Sequence, residues 1–193
     1  MLRRPVKASS RILPAVLALA LAVVLPGCAE RGPVADAGTE GLYLAAGPLT
    51  YQVQISRELN PGDVEDKAYL ANLGPGVTPP GPGEEWFGVW LQVKNESKMS
   101  ARSTSNLRIV DTQGTMYQPV TMPATDPFAY TAQTLGPGGS EPMANTPAAS
   151  GPIQGSLVLF RIKTSAYQDR PLTLQLLSSE APEKVQASVK LDL

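Results

Sequence analysis

The side chains that could do chemistry in this chain form a short set. There is no histidine in 193 residues and a single cysteine, Cys28. The usual general base, the Ser-His-Asp arrangement and the commonest transition-metal ligand are therefore missing. No phosphate-cradling loop or zinc spacing is present. Carboxylates remain. Asp63, Glu65 and Asp66 cluster, but they lack the alternating ligand spacing of a calcium loop and stand where a helix would begin, so helix capping accounts for them. Glu84 and Glu85 are adjacent on a strand and point to opposite faces, so they cannot flank one cleft as a glycosidase pair must. Met99, Met116, Met122 and Met143 lack the tight spacing and the His or Cys companions that copper carriage calls for. The expectation is no catalytic residue, no metal and no cofactor.

Two tryptophans are the other chemical feature. Trp86 and Trp90 lie four apart in Glu85-Trp86-Phe87-Gly88-Val89-Trp90-Leu91-Gln92-Val93-Lys94-Asn95. Phe87, Val89, Leu91 and Val93 share one parity and the tryptophans share the other, so this strand is apolar on both faces and must be central. The preceding segment, Leu59 to Glu84, contains a turn (Asn60-Pro61-Gly62-Asp63), a short helix expected from Val64 to Leu73, and a Pro/Gly run from Gly74 to Gly83 that can be neither helix nor strand. Asp63 with Asp66 three residues on resembles a capping arrangement. Val64, Tyr69, Leu70 and Leu73 give the helix an apolar side, which is expected to cover Trp86 and Trp90. The alternative is an open aromatic platform in which Trp86, Trp90 and Tyr69 stack on a carbohydrate. Burial is the reading adopted, because Tyr69 and Leu73 otherwise lack a destination.

The N-terminus reads as an export signal. Arg3, Arg4, Lys7 and Arg11 precede an apolar run from Ile12 to Leu25, broken only by Pro14, too short for a comfortable membrane span. Leu25-Pro26-Gly27-Cys28 resembles the bacterial lipobox. The resemblance implies cleavage after Gly27, a diacylglycerol thioether on Cys28, and export by the general rather than the twin-arginine route. One acyl chain anchors marginally; two or more hold a protein at the membrane for long periods. Removing the four leader cations leaves 12 Lys and Arg against 17 Asp and Glu, an acidic balance that argues against nucleic acid. With Cys28 acylated no disulfide can form, and the 166 residues from Cys28 onward must be held by a packed core.

Residues 1–27 are thus the expected signal peptide, 28–47 a flexible tether and 48–193 the folded domain. In the tether only Leu42, Tyr43 and Leu44 are expected against the domain. Leu49-Thr50-Tyr51-Gln52-Val53-Gln54-Ile55-Ser56 alternates, with Leu49, Tyr51, Val53 and Ile55 predicted inward. Asn95 to Lys98 turns the chain, and the Asn95-x-Ser97 pattern is turn chemistry. Ser100 to Ser105 is a polar edge segment. Leu107 to Val110, the Asp111-Thr112-Gln113-Gly114 turn and Thr115 to Gln118 make a hairpin. Pro119–Pro152 is a Pro-, Gly-, Ala- and Thr-rich insertion in which Phe128-Ala129-Tyr130 touches the core. Ser156 to Ile162, Leu172 to Leu176 and Val185 to Leu193 are further strands, the last tying the C-terminus into a sheet.

About seven short antiparallel strands and one short helix predict an all-β, immunoglobulin-like sandwich. Val89-x-Leu91-x-Val93-Lys94-Asn95-x-Ser97, Asp111-x-x-Gly114-x-x-Tyr117, Leu135-x-Pro137-Gly138, Phe160-Arg161-Ile162 and Val189-x-Leu191-Asp192-Leu193, in this order, resemble the telokin-like immunoglobulin domain of Gram-positive and actinobacterial lipoproteins. The resemblance spans Leu49 to Leu193 and implies a fold and a surface location, with no established activity. The functional expectation is a non-enzymatic, lipid-anchored module on the outer face of the membrane. It would bind a protein partner or envelope component through the Leu59–Glu84 and Pro119–Pro152 loops.

Overall fold

A computed structural model describes residues 35–192. The leader, Leu25, Pro26, Gly27, Cys28 and the first part of the expected tether lie outside the described residues.

The fold is an antiparallel β-sandwich with a covered outer face. In chain order the elements are β1 Asp36–Ala37, β2 Tyr43–Ala46, β3 Leu49–Leu59, α1 Val64–Leu70, β4 Glu84–Lys94, β5 Ala101–Arg102, β6 Leu107–Val110, β7 Met116–Tyr117, β8 Thr134–Leu135, β9 Ser140–Glu141, α2 Pro147–Ser150, β10 Ser156–Lys163, β11 Thr173–Leu177 and β12 Val185–Lys190; a 3-10 turn spans Thr164–Gln168. One sheet runs β10-β4-β3-β2 with β9 also on β4, the other β1-β12-β11-β6-β7, and β5 pairs with β8. Twelve strands among the described residues replace the seven expected, because several are two-residue pairings too short to leave a periodic signal.

β4 is central as predicted, flanked by β3 and β10. Phe87, Val89, Leu91 and Val93 lie in the inter-sheet core with Tyr51, Val53, Phe160, Ile162, Ile109, Leu174 and Val189. The opposite face carries a second apolar cluster of Leu59, Tyr69, Trp86, Trp90, Leu157 and Leu159, covered by Leu70, Leu73, Val77, Val120, Met122, Phe128 and Ile153. The two insertions therefore form a cap on the outer face of this sheet. The second insertion also covers the free edge of β10. Val120 N–H donates to Leu159 O, Tyr130 N–H to Leu157 O, and Leu157 N–H to Phe128 O, at 2.7, 2.8 and 2.6 Å. An edge strand satisfied this way presents no template for another chain.

Three expectations need correction. Residues 36–46 are not tether: β1 lies parallel to β12 and β2 antiparallel to β3, so this short segment crosses from one sheet to the other. Leu44 is fully buried, while Leu42 and Tyr43 are exposed. Ile55 does not point inward. The β3–β4 register jumps from Val53↔Leu91 to Ile55↔Trp90, a bulge that inserts Gln54 and reverses the facing of every later residue. Ile55 is exposed and Ser56 is buried in its stead. Val64, expected on the apolar side of α1, is 82% exposed, and α1 ends at Leu70 rather than Leu73.

The turns follow their side chains. Asn95 is buried. Its Oδ1 accepts from Ser97 N–H and Oγ–H at 3.0 and 2.7 Å, and its Nδ2 donates to Met99 O and Leu135 O, both at 2.8 Å. At the β6–β7 hairpin Asp111 Oδ1 accepts from Gln113 and Thr115 N–H at 3.0 and 2.8 Å, and Gly114 takes the left-handed φ of +83° that the turn requires.

Candidate functional site: the capped outer face of the first sheet

The site is built from the bulge upward. Before it, odd-numbered residues of β3 face the core; after it, Arg57 and Leu59 stand opposite Gly88 and Trp86 on the outer face. Without the inserted Gln54, Arg57 would carry core parity. The Arg57 guanidinium carbon lies 5.3 Å from the centroid of the Trp90 ring, within cation–π range. Gly88 makes room for that ring. A Cβ there would stand 2.8 Å from Trp90 Cζ3 and Cη2 and 3.0 Å from Leu157 Cδ1. Across β4, a Cβ on Gly155 would meet Trp90 Cβ at 3.0 Å and backbone at 3.1 Å. The indole is seated by two absent side chains.

α1 completes the cover. Asp63 is the N-cap and accepts from Glu65 N–H at 2.8 Å, as the sequence predicts. Asp66 does not reciprocate. Its carboxylate takes both Arg57 terminal nitrogens, at 2.6 and 3.1 Å, and the Asn60 N–H at 2.8 Å. Burial opposes ionisation of Asp66, but the Arg57 hydrogen bond, the Asn60 N–H and the Arg57 charge outweigh it and hold the carboxyl below its ordinary 3.8. The same hydrogen bond raises Arg57. α1 is thereby pinned to β3 by a two-pronged ion pair. Tyr69 packs edge-on against Trp90 at 5.2 Å and against Phe128 at 4.9 Å; burial raises its hydroxyl.

Trp86, Trp90 and Tyr69 are thus brought together as the sequence suggests, but as a packed cluster. Trp90 has no exposed surface and Trp86 is 3% exposed, so the open carbohydrate platform is absent: neither indole offers a face to solvent. Trp90 Nε1 is buried without an acceptor, a cost tolerated inside an otherwise apolar cluster. Glu84 and Glu85 do not converge on a cleft. Glu84 pairs with Arg161 at 3.7 Å, whereas burial, with Glu58 adding a like charge, pushes the Glu85 carboxyl up against a Tyr167 hydrogen bond that lowers it. Among the described residues no group of three or more acidic or thiol ligands could hold a metal.

Above the aromatics the cap leaves a cavity of about 330 Å³, walled by Tyr69, Phe128, Pro147, Pro152 and Ile153 with Arg57 and Glu65 among its lining. Both insertions contribute to it. Sequence reasoning missed Arg57, whose facing depends on the bulge, and Ile153; Pro147 and Pro152 it placed only within the Pro119–Pro152 loop, a stretch without periodicity.

Known proteins add little. No protein-family model matches the chain, and no curated protein does. Solved structures that match the chain include the following two. The yjhA protein from Bacillus subtilis is 13% identical, with 80% of this chain and 99% of that one covered at a TM-score of 0.45. An uncharacterized β-sandwich protein from Clostridium difficile 630 is 10% identical, covering 85% and 100% at a TM-score of 0.41. Likeness at this level carries no functional inference.

Proposed function

We propose that this chain is a non-enzymatic lipoprotein, lipid-anchored at the extracytoplasmic face of the cell membrane, a member of the telokin-like immunoglobulin group it resembles, and that its capped sheet face is the contact region for a protein partner or envelope component. The observation that carries the reading is the cavity over Tyr69 and Phe128. It is built by the two insertions with Arg57 and Ile153, on a sandwich whose remaining connections are mostly short, and on such scaffolds binding lies in the loops. Its wall is apolar with a cation and an anion alongside, the composition of a small recognition pocket. The lipid reading is supported by Leu25-Pro26-Gly27-Cys28 after an apolar run, with Cys28 the chain's single cysteine. No helix among the described residues is long and apolar enough to cross a membrane.

The anchor and the 36–46 segment, an N-terminal clasp across the two sheets, act together in this reading. Eight positions separate Cys28 from Asp36, where β1 begins. An extended chain covers at most about 3.5 Å per residue, so a lipid on Cys28 would restrict β1 to within about 28 Å of the membrane surface. A tether running to residue 47 would reach roughly two and a half times as far.

Two experiments test the proposal. Cys28→Ala should move the protein from the detergent phase to the aqueous phase, and intact-mass measurement of the wild type should show diacylglycerol on Cys28; an unmodified thiol ends the anchor reading. A photo-crosslinking residue at Ser150, on the cavity rim, should capture one defined partner on intact cells, one at Met116 should not, and Ile153→Asp should abolish the Ser150 product. Equal capture from both positions would place the contact elsewhere.

A further inference from the structure

A second cavity, of about 280 Å³, lies where β9 and β10 meet along the same edge of β4, and it goes beyond the reading above. Its lining includes Asp126, Glu141, Gln133, Ser156, Met143 and Thr146, and no Lys or Arg. Glu141 is opposite Val93 and Ser156 opposite Leu91, so their side chains point to one face of the sheet. Glu141 is 7% exposed. Its Oε1 accepts from Ser156 Oγ–H at 2.7 Å and its Oε2 from Gln133 Nε2–H. Burial pushes the carboxyl up, and these two donors pull it back.

Asp126 is different. It is 5% exposed. Its Oδ1 accepts from Phe128 N–H at 2.8 Å, its N–H donates to Pro123 O and its carbonyl accepts from Ala129 N–H. The side chain is therefore held in place, yet Oδ2 is buried with no donor. Buried carboxylate oxygens are ordinarily matched by a donor or a cation. Here a fixed acceptor with an open lone pair and a second carboxylate share one cavity with Ala124, Pro127, Ala129 and Pro142 as apolar wall. Both Glu141 oxygens already accept hydrogen bonds and Asp126 Oδ2 is the one unpartnered carboxylate oxygen of the four, a poor match for the six to eight oxygens that calcium takes. The two carboxylates suit a three-donor monocation on a short aliphatic stem.

We propose that the cavity walled by Asp126 and Glu141 is a binding site for a primary alkylammonium group, carried by a free small amine or by the lysine side chain of a peptide. The test is titration of the detergent-solubilised full-length protein at constant ionic strength, followed by amide NMR shifts and calorimetry. The probes are n-butylammonium, Nα-acetyl-lysine methylamide, tetramethylammonium, n-butanol and calcium. Saturable binding of n-butylammonium is expected, shifting resonances around Asp126, Glu141 and Ser156. The uncharged alcohol and the donor-free tetramethylammonium should not saturate. Tighter binding of the lysine derivative than of n-butylammonium assigns the site to peptide, and the reverse to a free amine. Asp126→Asn should weaken binding at least about tenfold. Should that variant fail to fold, Glu141→Gln and the wild-type comparison of amine with alcohol decide. Equal response to amine and alcohol, saturation by calcium in preference to the amine, or unchanged affinity in a folded Asp126→Asn would overturn the site.

Discussion

At the scale of single residues the outer face depends on what is absent as much as on what is present. Trp90 is the largest of the fully buried side chains, and its ring lies over Gly88 of its own strand. A methyl group at position 88 would meet the ring at 2.8 Å, well inside van der Waals contact, and the indole has no free side to retreat to, with Tyr69 edge-on and Arg57 above. Gly88→Ala should therefore lower unfolding free energy by about 1–3 kcal/mol, the usual cost of overpacking a close-packed site, although alanine is the better strand residue by intrinsic propensity. Urea unfolding followed by tryptophan emission measures it. A variant as stable as wild type would mean that the ring has room the distances deny. The glycine is visible in the sequence; its purpose is not, because it depends on which way the ring two residues later turns.

At the scale of elements, α1 is held less by its own seven residues than by one ion pair to β3. A helix this short has little intrinsic stability. Asp66 joins it to Arg57 and to the Asn60 N–H at once. Asp66→Asn removes the charge and leaves the guanidinium unmatched over the indole. The expected loss is about 1–2 kcal/mol, kept low because Arg57 is one-third exposed. Native-state hydrogen exchange should show residues 64–70 opening at lower free energy while β4 amides keep theirs; uniform loss across both would show that the cap and the sandwich unfold as one unit. This joint also marks the border of what the sequence made legible. The two-faced apolar run of β4, the Asp63 cap and the Asn95 and Asp111 turns carry their signal locally, in side-chain parity or in a side chain that bonds its own backbone. The Gln54 bulge does not, because it is fixed by the pairing of Val53 with Leu91 and of Ile55 with Trp90, far along the chain, and it inverted both Ile55 and Arg57 relative to the alternating pattern. The cavity of Asp126 and Glu141 was illegible for a similar reason: a proline-rich loop and a two-residue strand reveal a shared site only when β4 aligns them.

At the scale of the whole molecule the N-terminal clasp and the buried carboxylates set stability. Glu40, Glu85 and Glu141 are raised above the ordinary 4.5, each first by burial, while Asp66 and Asp111 are lowered below 3.8. For the first three the folded state binds protons more readily than the unfolded, so stability rises as pH falls from neutral toward 4.5. For the last two the unfolded state binds protons more readily, so their contribution is present above 3.8 and fades as pH drops through their folded values. Urea midpoints should therefore peak on the acid side of neutrality and fall steeply below pH 4, and Glu141→Gln should flatten the upper limb; a midpoint constant from pH 7 to 5 would contradict this. Glu40 has a second part, at the point where residues 36–46 cross between sheets. It accepts from Ser56 N–H at 3.1 Å, from Ser56 Oγ–H, and from Asp192 N–H at 3.2 Å, while Asp192 Oδ2 accepts from Thr39 Oγ1–H at 2.5 Å. The first and last described segments are thus locked together at Ser56, beyond the stretch of β3 that β2 pairs, with Leu44 filling the core beneath. A chain beginning at residue 48, the boundary that composition suggests, would strip β2 from β3, leave β12 unpaired on one side and open the Leu44 site to water. It should be less stable than a chain beginning at residue 35 by about 3 kcal/mol or more and should associate through the bared edge of β3. Comparing the two by urea unfolding and sedimentation decides the matter. Equal midpoints and two monomers would return residues 36–46 to the tether.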